Sequence, residues 1–94
     1  MTTKLSESEI QAALAETPEW TEVSGAIQRT YDFTDFVRAM RFVNKVAEYA
    51  EKAQHHPDIL VRYNKVTISV STHDAGGITG KDFALAKAVD AMAR

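Results

Sequence analysis

The stretch from Asp58 to Thr72 constrains the fold of this chain more than any other, because it contains two consecutive runs of alternating apolar and polar residues. Alternation with a period of two, in a segment rich in β-branched residues, predicts half-buried β-strands. The predicted strands are Asp58–Tyr63 and Lys65–Thr72. Because Asn tolerates a positive φ, a tight turn through Asn64-Lys65 is expected, and the stretch predicts an antiparallel hairpin.

The apolar residues of the two strands fix the expected register of this hairpin. Slipping the pairing by one residue would send the apolar set of one strand to the wrong face of the sheet. Extended outward, the expected register places His73 opposite His56, so all three histidines of the chain should gather at the open end of the hairpin. The predicted apolar pairs are Tyr63 with Val66, Val61 with Ile68, and Ile59 with Val70.

Two capping boxes predict the helices at the two ends of the chain. The segments Ser6–Glu9 and Thr79–Asp82 each place a hydroxyl residue three positions before an acidic one, an arrangement that satisfies the first N–H groups of a helix. We therefore expect one helix from just after Ser6 to Pro18, and a last helix from Gly80 to about Ala93.

The longest predicted helix has Thr34 as its expected N-cap and Asp35 in its first turn, and it should run to about Ala53. Its apolar residues cover more of the circumference than one sheet can bury. Either an oligomer contact, in a dimer or tetramer, or a broad core face with some exposed aromatic residues would explain the excess. The two stripes, displaced by about 100° around the axis, are Phe36, Met40, Val43, Ala47 and Ala50, and Phe42, Val46, Tyr49 and Ala53.

A second hairpin is predicted before this helix. Trp20–Ser24 and Ala26–Phe33 resemble strands, and Gly25 between them allows a tight turn. The order of elements is then α-β-β-α-β-β-α with strands in antiparallel pairs. This order is typical of an α+β fold, with a four-stranded antiparallel sheet and helices packed on one face. The 94 residues are expected to form a single domain spanning 1–94.

Composition excludes several classes of function. A formal net charge of −2 argues against a nucleic-acid surface, which usually carries a basic excess. The absence of Cys excludes disulfides, thiolate zinc sites and cysteine nucleophiles, and is compatible with a reducing compartment, so a cytoplasmic location is expected. No run approaches the roughly 20 apolar residues of a membrane helix, and the N-terminus lacks the apolar core of a signal peptide, so no membrane partner is expected.

The histidines carry the strongest functional signal in the sequence. Imidazole, whose ordinary pKa is roughly 6.5, gives and accepts protons near neutrality, so a cluster of histidines suggests proton transfer. Glu51 lies four residues before His55 on the long helix, where it should pair with the ring and orient it. A single histidine more often has a surface or capping role. A zinc site is the main competing interpretation of the cluster, although its spacing matches no metal motif.

Several segments also form a recognisable set: His55-His56-Pro57, Tyr63-Asn64-Lys65-Val66, Ser71-Thr72-His73-Asp74, Gly77-Ile78-Thr79 and Asp82. Together they resemble the pterin-4a-carbinolamine dehydratases, and the resemblance extends over nearly the whole chain, including Trp20 and the start at Leu5–Ile10. It implies the same α+β fold. It also implies dehydration of 4a-hydroxytetrahydrobiopterin to quinonoid dihydropterin, in tetrahydrobiopterin recycling after aromatic amino acid hydroxylation.

The resemblance implies roles for individual residues. His55 and His73 would be the acid and base at the 4a-hydroxyl, and His56, in the same catalytic cluster, would hold the pterin. Gln54 stands where animal members carry Asp, and Ile59 where they carry an aromatic residue, which alters the edge of the pocket. The other implied pterin contacts are Gln54, Ser71, Thr72 and Asp74, and the implied orienting residues are Glu51 and Asp82.

Loss of water from a carbinolamine needs no metal, nucleophile or cofactor. A positioned acid delivers a proton to the hydroxyl while the electrons of the ring nitrogen expel it. The expected partners are therefore the pterin, further copies of the chain and, functionally, an aromatic amino acid hydroxylase. The alternative function is a non-catalytic module that keeps the pterin-shaped pocket and acts as a partner or regulator of other proteins.

Overall fold

The computed structural model describes residues 3–94, and its helices and strands follow the predicted order, which confirms the α+β fold. A short 3₁₀ helix, His73–Ala75, was not predicted. The helices are α1 (Glu7–Glu16), α2 (Phe36–Ala53) and α3 (Gly80–Met92), and the strands are β1 (Thr21–Val23), β2 (Ala26–Asp32), β3 (Asp58–Arg62) and β4 (Lys65–Val70).

The strands form one antiparallel sheet in the order β1-β2-β4-β3. β2 and β4 lie at the centre, although α2 and β3 separate them in sequence. Alternate residues of the central strands, among them Ile27, Val66 and Ile68, are fully buried and join one core cluster with residues of the helices. Thr30 and Lys65 on the other face are exposed. The helices therefore cover one face of the sheet, as the alternation predicted.

Two of the three helix starts follow the predicted caps. Ser6 caps α1 and Thr79 caps α3, each with the full capping box. Asp35, rather than the predicted Thr34, caps α2, and its carboxylate accepts a hydrogen bond from the Arg38 N–H at 2.9 Å. This backbone bond and the adjacent Arg38 guanidinium hold the pKa of Asp35 below its ordinary value. The Thr34 prediction was wrong because only the carboxylate can accept the backbone bond and pair with the guanidinium at once.

The β3–β4 hairpin turns earlier than predicted. Tyr63 and Asn64 form the turn, and Val61 pairs with Val66 where the sequence had predicted Ile68. Ile59 pairs with Ile68, so the predicted pairings are wrong by two residues. An even shift leaves every side chain on its predicted face, because the side-chain period of a strand is two.

Asn64 explains the shifted turn. Its side-chain N–H donates to the Phe33 carbonyl at 2.8 Å, and its own carbonyl accepts the Phe33 N–H at 2.9 Å. These bonds tie Asn64 to the chain just beyond β2. The positive φ of the turn, 53°, falls on Tyr63 instead.

The core face of α2 combines residues of both predicted apolar stripes, because Ala50 of the first stripe is buried together with members of the second. Phe42 and Val46 of the second stripe are buried, and the Phe42 ring centroid lies 4.8 Å from that of Tyr31. Phe36, which begins the first stripe, is 49% exposed, and its neighbour Val37 is 57% exposed. An apolar flank of α2 is therefore uncovered in the single chain. None of the helices within residues 3–94 is both long enough and apolar enough to span a membrane.

A polar cluster fastens α3 to the sheet. The carboxylate oxygen Oδ1 of Asp90 accepts hydrogen bonds from Trp20 Nε1 at 3.0 Å, Arg29 Nη1 at 2.8 Å and the Tyr31 hydroxyl. Trp20 and Tyr31 are both buried. Burial, followed by the hydrogen bond to this carboxylate, raises the pKa of Tyr31 well above its ordinary value. Asp90 of α3 thus binds one donor directly before β1 and two donors in β2.

Candidate active site

The end of α2 sets the direction of the first two histidines. Gln54 adopts the left-handed conformation, with φ 53° and ψ 44°, and its backbone N–H bonds back to the last turn of the helix. Its side-chain Nε2 also donates to the Glu51 carbonyl at 2.6 Å. The helix therefore ends at Ala53, and His55 and His56 follow in non-helical chain.

His55 turns inward toward α3. Its side chain is 12% exposed, and its Nε2 lies 2.6 Å from Oδ1 of Asp82, whose side chain is fully buried. Asp82 is the acidic member of the α3 capping box, so the local signal that starts α3 also brings a carboxylate to the histidine. The structure thus places one implied orienting residue, Asp82, against one implied catalytic residue, His55.

The second oxygen of Asp82 is held from the other side. Oδ2 accepts the Thr79 N–H at 2.8 Å and the Thr72 hydroxyl at 3.0 Å. The two threonine hydroxyls lie 2.7 Å apart. Within residues 3–94 no buried side-chain nitrogen or oxygen lacks a hydrogen-bond partner. The hydroxyl of Thr72, an implied pterin contact, is therefore engaged inside the protein.

Glu51 pairs with His56 and not with His55. The Glu51 Oε1 lies 2.8 Å from the His56 Nε2, and the two side chains are 75% and 61% exposed. The predicted Glu51–His55 pair was wrong because the helix ends before His55, so the i,i+4 spacing that joins residues on one helix face no longer applies. Exposed pairs of this kind contribute at most about 1 kcal/mol.

His73 begins the 3₁₀ helix directly after the buried Thr72, and both His73 and Asp74 are exposed. The Thr72 N–H donates to the Gly77 carbonyl at 2.8 Å, which closes the loop that carries them. Because the Thr72 hydroxyl bonds the carboxylate that contacts His55, the backbone of His73 is anchored one residue from that network.

The predicted alignment of His73 with His56 across the hairpin was wrong. Asp58 pairs with Ser69, so the observed register, extended two residues outward, brings Ser71 opposite His56. Ser71 is exposed, as are His56 and Gln54. The implied pterin contacts other than Thr72 thus lie on accessible surface near the open end of the hairpin.

The three histidines differ in what surrounds them. His55 is largely buried against a carboxylate, His56 is exposed beside one, and His73 is exposed. Among residues 3–94 no three His, Asp or Glu side chains are grouped so that they could hold a metal ion. A cavity of about 110 Å³ adjoins His55 and is lined by Tyr49, Ala53, His55, Lys81, Ala84 and Leu85.

Sequence reasoning gave no role in the site to the Thr79 hydroxyl. Its signal was present, because the T-x-x-D capping box that predicts α3 contains both Thr79 and Asp82. The packing of α3 against the end of α2, which the sequence does not reveal, brings Asp82 of this capping box into contact with His55.

Comparison with known proteins places the chain among relatives of one kind. The family model described as pterin 4 alpha carbinolamine dehydratase matches residues 3–92. A protein of a Picosynechococcus species is 53% identical over 98% of this chain and 100% of its own length. A protein of Solibacter usitatus is 55% identical over 99% of this chain and 98% of its own. Both carry the provisional name pterin-4-alpha-carbinolamine dehydratase.

Solved structures share the fold of this chain. The crystal structure of a transcriptional coactivator/pterin dehydratase from Brucella melitensis has a TM-score of 0.94 and 37% identity, covering 98% of this chain and 100% of its own. A pterin dehydratase-like protein described as a RuBisCO assembly factor in the alpha-carboxysome has a TM-score of 0.65 and 21% identity, covering 79% and 86%. The second likeness is one of fold alone.

Proposed function

Because the chain belongs to the pterin-4a-carbinolamine dehydratase family, we propose that it dehydrates 4a-hydroxytetrahydrobiopterin to quinonoid dihydropterin in tetrahydrobiopterin recycling. The observation that carries the proposal is the contact between His55 and the buried Asp82, 2.6 Å apart, at the start of α3. A buried carboxylate beside an imidazole stabilises the positive charge that forms on the ring when it takes up a proton. Such a pair suits acid–base chemistry.

The proposed reaction needs two proton movements. One histidine delivers a proton to the 4a-oxygen, and the C–O bond breaks as the electron pair of the adjacent ring nitrogen forms a C=N bond. The hydroxyl leaves as water. The cationic pterin then gives the proton of its ring N–H to a neutral histidine. The protein therefore ends with the number of protons it began with.

The residue roles in this proposal are those that the family resemblance implies. We assign His55 and His73 to the acid and base, and His56, whose ring is exposed beside Glu51, to holding the pterin. Glu51 orients His56 in this proposal. The accessible residues Gln54, Ser71 and Asp74 are the proposed pterin contacts.

Self-association is part of the proposal. The exposed apolar side chains Phe36 and Val37 on α2 support it, since contiguous exposed apolar surface commonly marks a contact site. Phe36→Glu should shift a dimer or tetramer toward monomer in light scattering at micromolar concentration, while Phe42→Glu would instead unfold the core. A wild-type protein that is monomeric throughout would contradict this part of the proposal.

A functional link to an aromatic amino acid hydroxylase and a cytoplasmic location complete the proposal. The hydroxylase reaction produces the carbinolamine, and the cysteine-free sequence suits a reducing compartment. Co-purification is not required for such a link, because the pterin can diffuse between the two enzymes. The link is tested by adding this protein to a hydroxylase reaction and measuring whether the steady-state rate of product formation rises.

Steady-state kinetics on a freshly generated carbinolamine test the main proposal. Loss of an interaction made only in the transition state lowers kcat, whereas loss of uniform binding raises KM. We expect His55→Ala and His73→Ala each to lower kcat, with a larger loss when they are combined, and His56→Ala to act chiefly through KM. General acid–base help is typically worth roughly 10² to 10⁴ in rate, and each histidine can partly cover for the other.

The same experiment separates the two candidate functions. Circular dichroism of each variant first confirms that the fold is retained. A double variant of His55 and His73 with wild-type kcat would refute the acid–base assignment. A wild-type protein that binds pterin without turnover would instead favour the non-catalytic binding module.

A further inference from the structure

A run of hydrogen bonds, buried at its centre, leads from the backbone of α3 to the candidate catalytic histidine. The Lys81 N–H donates to the Thr79 hydroxyl at 3.2 Å, and the Thr79 hydroxyl meets that of Thr72 at 2.7 Å. Thr72 donates to Asp82, and Asp82 contacts His55. Thr79 and Asp82 have no exposed surface, and Thr72 is 7% exposed. The bonds of Thr72 with Thr79 and with Asp82 are buried, so solvent does not replace these two partners.

Donor counting fixes the direction of every bond in this run. The single hydroxyl proton of Thr72 goes to Asp82 Oδ2, so in its contact with Thr79 it must accept, and Thr79 must donate. Asp82 Oδ2 already accepts the Thr79 N–H as well. Asp82 lies in the first turn of α3, where the helix dipole favours a negative charge. An ionised carboxylate only accepts, so the His55 Nε2 must carry a proton.

The other ring nitrogen is then left for the substrate. Within residues 3–94, His55 Nδ1 makes no hydrogen bond, yet no buried side-chain nitrogen lacks a partner. Nδ1 must therefore reach the surface. In the neutral ring it is an acceptor, and in the imidazolium it is a donor. In either state it is the one ring nitrogen of His55 free to exchange a proton.

We propose that Thr72 and Thr79 are positioning residues, which through Asp82 hold a proton on Nε2 of His55 and leave Nδ1 as its reacting atom. This inference rests on the proposed dehydratase function, because it names the atom through which His55 would act. It also changes the role of Thr72, which the family resemblance implied as a pterin contact. A pterin contact and a positioning residue fail differently when the hydroxyl is removed.

The tautomer of His55 is measured without substrate. In protein labelled with ¹⁵N in its histidines, long-range ¹H–¹⁵N spectra distinguish a ring protonated on Nε2 from one protonated on Nδ1. We expect wild-type His55 to show the Nε2–H form where the ring is neutral. A neutral Nδ1–H ring in the wild type would overturn the proposal, even if the protein turned over the carbinolamine. The Nε2–H form with no turnover would confirm the tautomer that Asp82 and the threonines hold, while the proposed function, and with it the role of Nδ1 as the reacting atom, failed.

Asp82→Asn makes the sharpest change. The amide oxygen must stay at the Oδ2 position to accept from Thr72 and the Thr79 N–H, so the NH₂ group faces His55. His55 Nε2 then has to accept, and the ring switches to the Nδ1–H form. We expect this switch in the ¹⁵N spectra together with a fall in kcat, up to the about 10⁴-fold that the wrong tautomer causes in a Ser-His-Asp triad.

Thr72→Val tests the hydroxyl itself with little change of shape. We expect kcat to fall about tenfold, less than the roughly 10² to 10⁴ that acid–base help supplies, because His55 and Asp82 both remain, with KM changed by less than about twofold. Thr72→Ser restores the hydroxyl and should recover most of the lost kcat. The control is Thr67→Val, which removes a hydroxyl from the other Thr–Thr pair, Thr30 with Thr67 at 2.8 Å on the open face of the sheet. It should leave kcat and the His55 tautomer unchanged.

Two results would overturn the positioning role. If the Thr72→Val variant has a raised KM and an unchanged kcat, Thr72 is a pterin contact and not a positioning residue. Folded Asp82→Asn that keeps the Nε2–H form would show that the threonine hydroxyls do not set the orientation of the residue at 82. The second measurement stands on its own if Thr72→Val fails to fold.

Discussion

Replacing Asp90 with Ala removes the acceptor shared by Trp20, Arg29 and Tyr31. Trp20 and Tyr31 are 2% and 4% exposed, so their N–H and O–H groups would be left buried without a partner. Each such group costs about 1–3 kcal/mol. The Arg29 side chain, 27% exposed, can turn to water instead.

Water lowers the total cost, because the Asp90 side chain is itself 23% exposed and its removal opens a path to the cluster. We therefore expect Asp90→Ala to lower the free energy of unfolding by about 3 kcal/mol, toward the lower part of the combined range. For a domain of roughly 60–100 residues, each 1 kcal/mol shifts Tm by about 4–8 °C, so Tm should fall by about 12–24 °C. Asp90→Asn keeps an acceptor oxygen but loses the charge, and should cost about half as much.

The assay is thermal and urea unfolding followed by circular dichroism, with the indole N–H proton of Trp20 observed by NMR. Loss of its hydrogen bond should move that resonance in Asp90→Ala but not in the control Asp58→Ala, which removes an exposed carboxylate from β3. The control should change stability by less than about 0.5 kcal/mol. Equal losses for Asp90→Ala and Asp58→Ala, or an unmoved indole resonance, would refute the shared-acceptor reasoning.

Three further predictions follow from the structure. Because the pKa of Tyr31 is raised on folding, its contribution to stability should be complete below about pH 10, the ordinary Tyr pKa, and be lost as the pH rises above it, by up to about 1.4 kcal/mol per pH unit. Unfolding curves of Tyr31→Phe should lack this part of the alkaline slope, and a slope identical to the wild type would contradict the assignment. Tyr63→Gly should raise the free energy of unfolding by up to about 1 kcal/mol, since Tyr63 is 68% exposed at φ 53° and a left-handed residue with a Cβ costs about 1–2 kcal/mol. Asn64→Gly should lower the free energy of unfolding because it loses the bond to Phe33. Urea unfolding of both variants tests this: if Asn64→Gly were the more stable of the two, the turn would lie one residue later. Glu51→Gln should change stability by less than about 1 kcal/mol, because its pair with His56 is exposed, while its KM for the carbinolamine should rise if Glu51 orients His56.

Local signals predicted much of this fold correctly. The capping boxes at Ser6 and Thr79, the end of α2 at Ala53 and the faces of β3 and β4 were all confirmed. Each of these features depends on residues within a few positions of one another. A hydroxyl three residues before a carboxylate caps a helix, and alternation with period two selects a strand face, whatever lies elsewhere in the chain.

Choices between competing partners were decided by the tertiary structure. Asn64 was predicted to supply the positive φ of the turn, but it bonds Phe33, 31 residues away, and the turn and its register shifted as a result. His55 was predicted to pair with Glu51, but its ring meets Asp82, 27 residues away. A side chain takes the partner that folding brings within hydrogen-bond distance and removes from water, and the sequence near Asn64 or His55 contains neither the distant partner nor its burial.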